Sequence, residues 1–179
     1  MNYIILDLEA TCWEDKSTRM QNEIIEIGAV KLDEQGHQID EFCEFIKPKL
    51  NQQLSEFCKK LTTITQTDID RADTYDVVVE AFKDWIDIDE PYLLCSWGVY
   101  DKKQFEKDCN LYGLDTDWLY YHISLKHQYA DIKGLERPIG MGGALRKEGL
   151  KLEGTHHRGI DDARNIAKIF KANLTEWEV

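Results

Sequence analysis

Two stretches of the chain hold groups that can do chemistry together. "DLEA" sets Asp7 and Glu9 two residues apart, and "THHRGIDDAR" sets His156 and His157 ahead of Asp161 and Asp162. In a β-strand, residues two apart point to one face with α-carbons roughly 6.5 to 7 Å apart, so Asp7 and Glu9 can converge on one cation. Ionised carboxylates in a dry interior are costly and resolve that cost by pairing, by shifting pKa or by binding metal. The second stretch offers two nested pairs of identical spacing, His156 with Asp161 and His157 with Asp162.

The helical pattern that follows separates them. Advancing about 100° per residue from Ala163, Ile169 falls at about 240°, Ile166 at about 300°, Phe170 at about 340° and Ala167 at about 40°, which defines a buried arc. Asp162 falls at about 260°, inside that arc, and Asp161 at about 160°, among Asn165 and Lys168. Asp162 is thus expected to face the core and to need a partner, with Asp161 a solvated charge near a helix N-terminus, where the dipole favours it. His157 is the histidine that matches Asp162, and His156 is its close competitor. A fifth group, Asp101 in "CSWGVYDKKQF", follows an apolar run and opens a helix. By itself it reads as an ordinary first-turn carboxylate.

The elements that must position these groups can be read along the chain. "NYIILDLEAT" is a nearly continuous apolar run and predicts a strand covered on both faces. "NEIIEIGAVKL" and "HQIDEFCEFIKP", joined by "DEQG", predict a hairpin. Helical spacing follows in "NQQLSEFCKKL" and in "TYDVVVEAFKDWI", whose Val78, Ala81, Phe82 and Trp85 share a face. "PYLLCSWG" predicts a short buried strand and "YDKKQFEKDCNLYG" an amphipathic helix ended by glycine. A short strand or loop then leads to a helix from about Ser124, a short glycine-bounded helix lies in "IGMGGALRKEGL", and a final helix lies in "IDDARNIAKIFKANL". Strands leading and helices interleaved after them imply an α/β layer fold with a mixed sheet.

Composition bounds the partners. The 179 residues fit one domain, residues 1–179, and a hydrophobic content of 42% supports a core. The N-terminal apolar run is far shorter than the roughly 20 residues of a membrane span and has no basic region before it, so no membrane or targeting segment is expected. Five scattered cysteines with no CxxC pair read as reduced thiols of a cytoplasmic protein and argue against structural zinc. A net charge of −12 excludes broad electrostatic capture of a duplex, so any nucleic-acid contact must be local. Lys102, Lys103, Arg146, Lys147, Lys151 and Arg158 are candidate phosphate contacts, and Trp13, Trp97 and Tyr100 are candidate base-stacking residues.

Taken in order, "DLEAT", "SWGVYD" and "HHRGIDDA" resemble the three exonuclease motifs of the DEDD superfamily, Asp-x-Glu, Asp and His-x4-Asp, in its histidine branch. The tyrosine branch places Tyr four residues before the last Asp, where this chain has Arg158. "LDLEATCW", "IIEIGAVKL" and "HHRGIDDARNIA" are similar to the subgroup of histone-mRNA and small-RNA trimming exonucleases and to bacterial sporulation-inhibitor-like relatives. The resemblance implies a ribonuclease-H-like fold, a five-stranded mixed sheet flanked by helices on both sides. It implies that Asp7, Glu9, Asp101 and Asp162 bind two Mg²⁺ or Mn²⁺ ions, that Asp7 bridges them and that His157 is the general base. Ala10 and Thr11 match positions whose backbone faces the terminal ribose, and Tyr100 is the aromatic beside the site. An accessory nucleic-acid domain is not expected.

These residue types suit hydrolysis of a phosphodiester. Oxygen ligands favour Mg²⁺ or Mn²⁺ over zinc, and a histidine that titrates near neutrality suits proton removal from water. The expected activity is metal-dependent 3′-to-5′ hydrolysis of single-stranded RNA or short oligonucleotides, acting at 3′ ends and releasing nucleoside 5′-monophosphates. The alternatives are a DNA-directed exonuclease and a non-catalytic module that binds RNA ends. A calcium loop beginning at Asp115 fails, because Tyr120 stands where glycine is needed and Lys126 where the bidentate Glu belongs.

Overall fold

The computed structural model describes residues 1–15 and 20–179. Its centre is β1 (Asn2–Ala10), whose side chains are enclosed from both faces because both carry apolar residues. β1 pairs antiparallel with β2 (Ile24–Leu32), which pairs antiparallel with β3 (Gln38–Phe45). On its other side β1 pairs parallel with β4 (Tyr92–Ser96), and β4 pairs parallel with β5 (His122–Ser124), giving the order β3-β2-β1-β4-β5. The expected five-stranded mixed sheet is present, and the chain leaves β1 toward one side and returns on the other. The carboxyl end of β1 therefore borders a crevice of the kind open α/β sheets use for ligands.

Strand alternation assigns the two faces. Tyr3 and Ile5 of β1 pack with α5 (Leu125–Ile132), α6 (Met141–Lys147) and α7 (Gly159–Ala172). Ile4, Leu6 and Leu8 pack with α3 (Tyr75–Ile86) and α4 (Tyr100–Tyr112). By that alternation Asp7 and Glu9 continue the α7 face beyond the apolar residues. The remaining helices, α1 (Glu56–Thr62) and α2 (Gln66–Arg71), enclose a smaller core of Ile25, Leu54, Cys58, Ile64 and Ile69.

Four local expectations are corrected. The helix read from residue 51 starts only at Glu56, because the Glu23 carboxylate accepts the backbone N–H groups of Lys49, Leu50 and Asn51 and holds that segment in a turn. α2 was not expected, although Thr65 and Asp68 form a capping box that marks its start. On α3, Ala81 is exposed and Val79 is buried in its place, because the helix packs along Tyr75, Val78, Val79, Phe82 and Ile86. Asn165, placed by the helical wheel on the wet side of α7, is fully buried. The 153 segment lies over it: its side chain accepts from the Glu153 N–H and donates to the carbonyls of Glu153 and Asp161.

The height of α7 above the sheet is set by two glycines. A Cβ on Gly28, which pairs with Asp7 across β1 and β2, would stand 2.0 Å from the Ile160 nitrogen and 2.1 Å from the Gly159 carbonyl carbon. A Cβ on Gly159 would stand 3.0 Å from the Asp7 carbonyl oxygen. Backbone lies on backbone here, and no flexible side chain can yield. Gly28→Ala is expected to destabilise the protein by at least about 2 kcal/mol, an overpacking cost measured by urea denaturation. A change within about 0.5 kcal/mol, the range of an ordinary surface substitution, would disprove the contact.

Candidate active site

The seat of α7 brings its first turn over the end of β1. Asp7 and Glu9 rise from β1 and Asp162 descends from α7, so that one carboxylate oxygen from each lies within 4.8 Å of the others. Asp101, at the N-terminus of α4, closes the group from the opposite helical layer, with its Oδ1 accepting the Leu8 N–H at 3.2 Å. Glu9, Asp101 and Asp162 are 8%, 5% and 4% exposed, and the four carboxylates line one cleft of about 380 Å³. The expectation that Asp162, and not Asp161, faces the sheet agrees with this arrangement. Asp161 is half-buried and accepts from the Thr155 N–H and from Arg164.

The electrostatics follow from that crowding. Burial, then the neighbouring Asp101 and Glu9, holds Asp7 well above the ordinary carboxylate range. Glu9 is pushed up to about 8, first by burial and then by Asp162. Burial raises Asp101 to about 6 against the opposing hydrogen bonds that it accepts. Among the described residues no lysine or arginine lines the cleft. Among the described residues that negative charge has no fixed counter-charge in the lining.

Both histidines reach the site, by different means. The His156 Nδ1 is 3.0 Å from each oxygen of Asp162, and the backbone N–H of His157 donates to Asp162 Oδ2 at 2.9 Å. The chain makes both contacts by turning sharply at His157, whose φ of +66° lies in the left-handed region that favours glycine. The two rings stack with centroids 4.0 Å apart. Among the described residues nothing hydrogen-bonds the His157 imidazole, so both its nitrogens stay available within the cleft. Burial, then His156, lowers its pKa below the usual value, which keeps it neutral and able to accept a proton near pH 7.

Glu26 is the residue that sequence reasoning missed. It stands opposite Glu9 on β2, is fully buried, and accepts from Arg158 at 3.1 and 3.2 Å and from the Gly159 N–H at 3.0 Å. It thereby pins the residues directly after His157 to the sheet. Its signal was a lone carboxylate in the apolar run "IIEIGAV". Arg158, a candidate phosphate contact, is committed to this ion pair.

Tyr100 and Trp97 line the cleft, and Tyr100 is 51% exposed. Trp97 is fixed by donating from Nε1 to the Ile139 carbonyl at 3.1 Å. Ala10 and Thr11 lie past a bulge at the end of β1 and are buried outside the cleft lining. The Thr11 hydroxyl accepts the Glu23 N–H at 3.0 Å. Trp13 is half-buried and also lies outside the lining.

The chain is similar to known proteins in sequence and in fold. The human 3'-5' exoribonuclease 1 is 34% identical over 92% of this chain and 50% of its own length. The 3'-5' exonuclease eri1 of Schizosaccharomyces pombe is 33% identical over 97% of this chain and 68% of its own. The nuclease domain of 3'hExo, a DEDDh family member solved bound to rAMP, superposes with a TM-score of 0.91 at 32% identity, covering 98% of this chain and 92% of that one. The chain thus spans about half the length of the mammalian exoribonucleases it matches. The model of the RNase_T exonuclease family matches residues 4–170, all three motifs included, and the chain belongs to that family.

Proposed function

We propose that residues 1–179 form one divalent-metal-dependent 3′-to-5′ exonuclease domain that trims single-stranded RNA or short oligonucleotides and releases nucleoside 5′-monophosphates. The observation that carries this reading is the convergence of four carboxylates, three of them buried, on one cleft that among the described residues has no lysine or arginine in its lining. An all-oxygen donor set of high negative charge fits hard cations, Mg²⁺ or Mn²⁺, and the raised pKa values of Asp7 and Glu9 are those of ligands awaiting one. Asp7, Glu9 and Asp162 would hold one ion and Asp7 with Asp101 a second. Ions held there would supply the Lewis acidity that lowers the pKa of an attacking water and offsets charge on a departing 3′ oxygen.

The chain's own residues do the rest. His157 accepts the proton of the attacking water at a free ring nitrogen, while His156 Nδ1 and the His157 amide fix the Asp162 carboxylate. Tyr100 and Trp97 offer ring faces for the terminal base. RNA is favoured because the relatives are named exoribonucleases and one structural neighbour holds rAMP. Five free thiols support a reducing, cytoplasmic compartment.

On 5′-labelled single-stranded RNA and DNA of equal sequence, the protein should produce a ladder shortening from the 3′ end in Mn²⁺ or Mg²⁺ and none in EDTA. The RNA-to-DNA rate ratio ranks the sugars, and tight binding without cleavage would replace the enzyme by a binding module. Asp162→Asn should abolish turnover and Asp161→Asn should not. His157→Ala should lose roughly 10² to 10⁴ in kcat, the range of general base catalysis, and a smaller loss than that of His156→Ala would transfer the role to His156.

Stability should report the same charges. Because the folded-state pKa of Glu9 is raised from 4.5 to about 8, its contribution is fully present below about 4.5 and is lost as pH rises through about 8. The Tm of the metal-free protein should therefore fall between pH 5 and 8 in that window, Mn²⁺ should restore it at the alkaline end, and Glu9→Gln should flatten the slope. A Tm indifferent to both pH and Mn²⁺ would remove the case for a metal centre.

A further inference from the structure

A strand that enters the cleft carries a phosphate at every nucleotide, and among the described residues the lining holds no lysine or arginine to meet any of them. The Arg146 guanidinium stands beside that lining. Gly140, Met141 and Gly142, at the start of α6, form part of the cleft wall. Beside the place where a Gly142 side chain would begin, the nearest atom is Nη1 of Arg146, 3.7 Å away and one helical turn further on.

Two features set Arg146 apart. It is exposed and, among the described residues, enters no ion pair, whereas Arg158 is held by Glu26 and Arg164 by Glu41 and Asp161. The glycine before it is also not demanded by the fold. A Cβ at Gly142 would meet only that guanidinium, at ordinary contact distance, and a glycine inside a helix is otherwise unfavourable. The absent side chain leaves the guanidinium uncovered where the cleft opens.

We propose that Arg146 is a substrate-positioning residue that binds the backbone phosphate next upstream of the scissile one, so that the cleft prefers the end of a single-stranded oligonucleotide to a mononucleotide. The planar guanidinium fork suits two phosphate oxygens at once. The inference rests on the exonuclease reading and adds to it which part of the substrate is held away from the carboxylates.

The test compares wild type with Arg146→Gln, Arg146→Lys and, as a control of equal charge change in the last turn of α7, Lys171→Gln. Fluorescence anisotropy of a labelled RNA pentanucleotide in Ca²⁺ reads binding apart from turnover, and steady-state kinetics in Mn²⁺ read KM and kcat. Arg146→Gln should weaken pentanucleotide binding about tenfold, mostly in KM, and reduce the slope of log Kd against log salt by about one. Inhibition by a nucleoside 5′-monophosphate should move less than twofold, Arg146→Lys should recover the salt slope but only part of the affinity, and Lys171→Gln should match wild type. Unchanged pentanucleotide binding, or an equal loss for the mononucleotide, would overturn the assignment while leaving the exonuclease reading intact. A wild type that neither binds nor cleaves the pentanucleotide would overturn both.

Discussion

The first turn of α7 rests on β2 with no side chain between them, and the site depends on that contact. Gly28 and Gly159 remove the two β-carbons that would hold the helix off the sheet. Glu26 then reaches up from the same strand to accept the Gly159 amide and the Arg158 guanidinium. A helix seated this low carries Asp162 into contact range of Asp7 and Glu9, which a side-chain-packed helix, typically about 10 Å from a sheet, could not do as directly. The apolar residues Ile166, Phe170 and Ile169 further along α7 fix its rotation, so height and orientation are set by different residues.

What the seat assembles is electrostatically unfavourable by itself. Burial holds Asp7, Glu9 and Asp101 above the ordinary carboxylate range, acidic neighbours push Asp7 and Glu9 further, and the backbone amides of Leu8 and His157 offset only part of the cost of the assembly. Such strain persists only where the surrounding core over-determines the geometry. Here the core does so from both faces of the sheet, since β1 has packed helices on either side of it. Buried apolar residues along β1, β2 and β4 form the centre of that core and hold the carboxyl end of β1 in place.

How much of this could be read in the sequence depends on how local each cause is. β1, β2 and β4 were legible because an apolar run between turn signals has few alternatives, and Asp162 was legible because α7 carries enough apolar residues to fix a wheel. Asn165 was misplaced because a wheel knows only the helix itself, and the segment that covers it comes from residues 151–155. α2 escaped because six residues with a single buried apolar side chain, Ile69, produce no periodicity, although its capping box was present. Glu26 escaped for a different reason: its partners Arg158 and Gly159 lie more than a hundred residues away, and nothing near it in the chain indicates what it holds. The choice between His156 and His157 could be posed from spacing, but the left-handed turn that gives one a ring contact and the other an amide contact could not.

The commitment of Arg158 to Glu26 has a thermodynamic consequence. Arg158, adjacent in sequence to His157, is directed inward to Glu26, so among the described residues the cleft lining carries no lysine or arginine, and on the exonuclease reading bound cations would supply most of the attraction for a polyanion at the carboxylates. Cation occupancy and strand affinity are then linked functions of one another. By reciprocity, a 3′ end would tighten the hold on the ions by the same factor as the ions would tighten the hold on the 3′ end. The ligand-free protein would then rest as a weak binder of both, and each ligand would recruit the other.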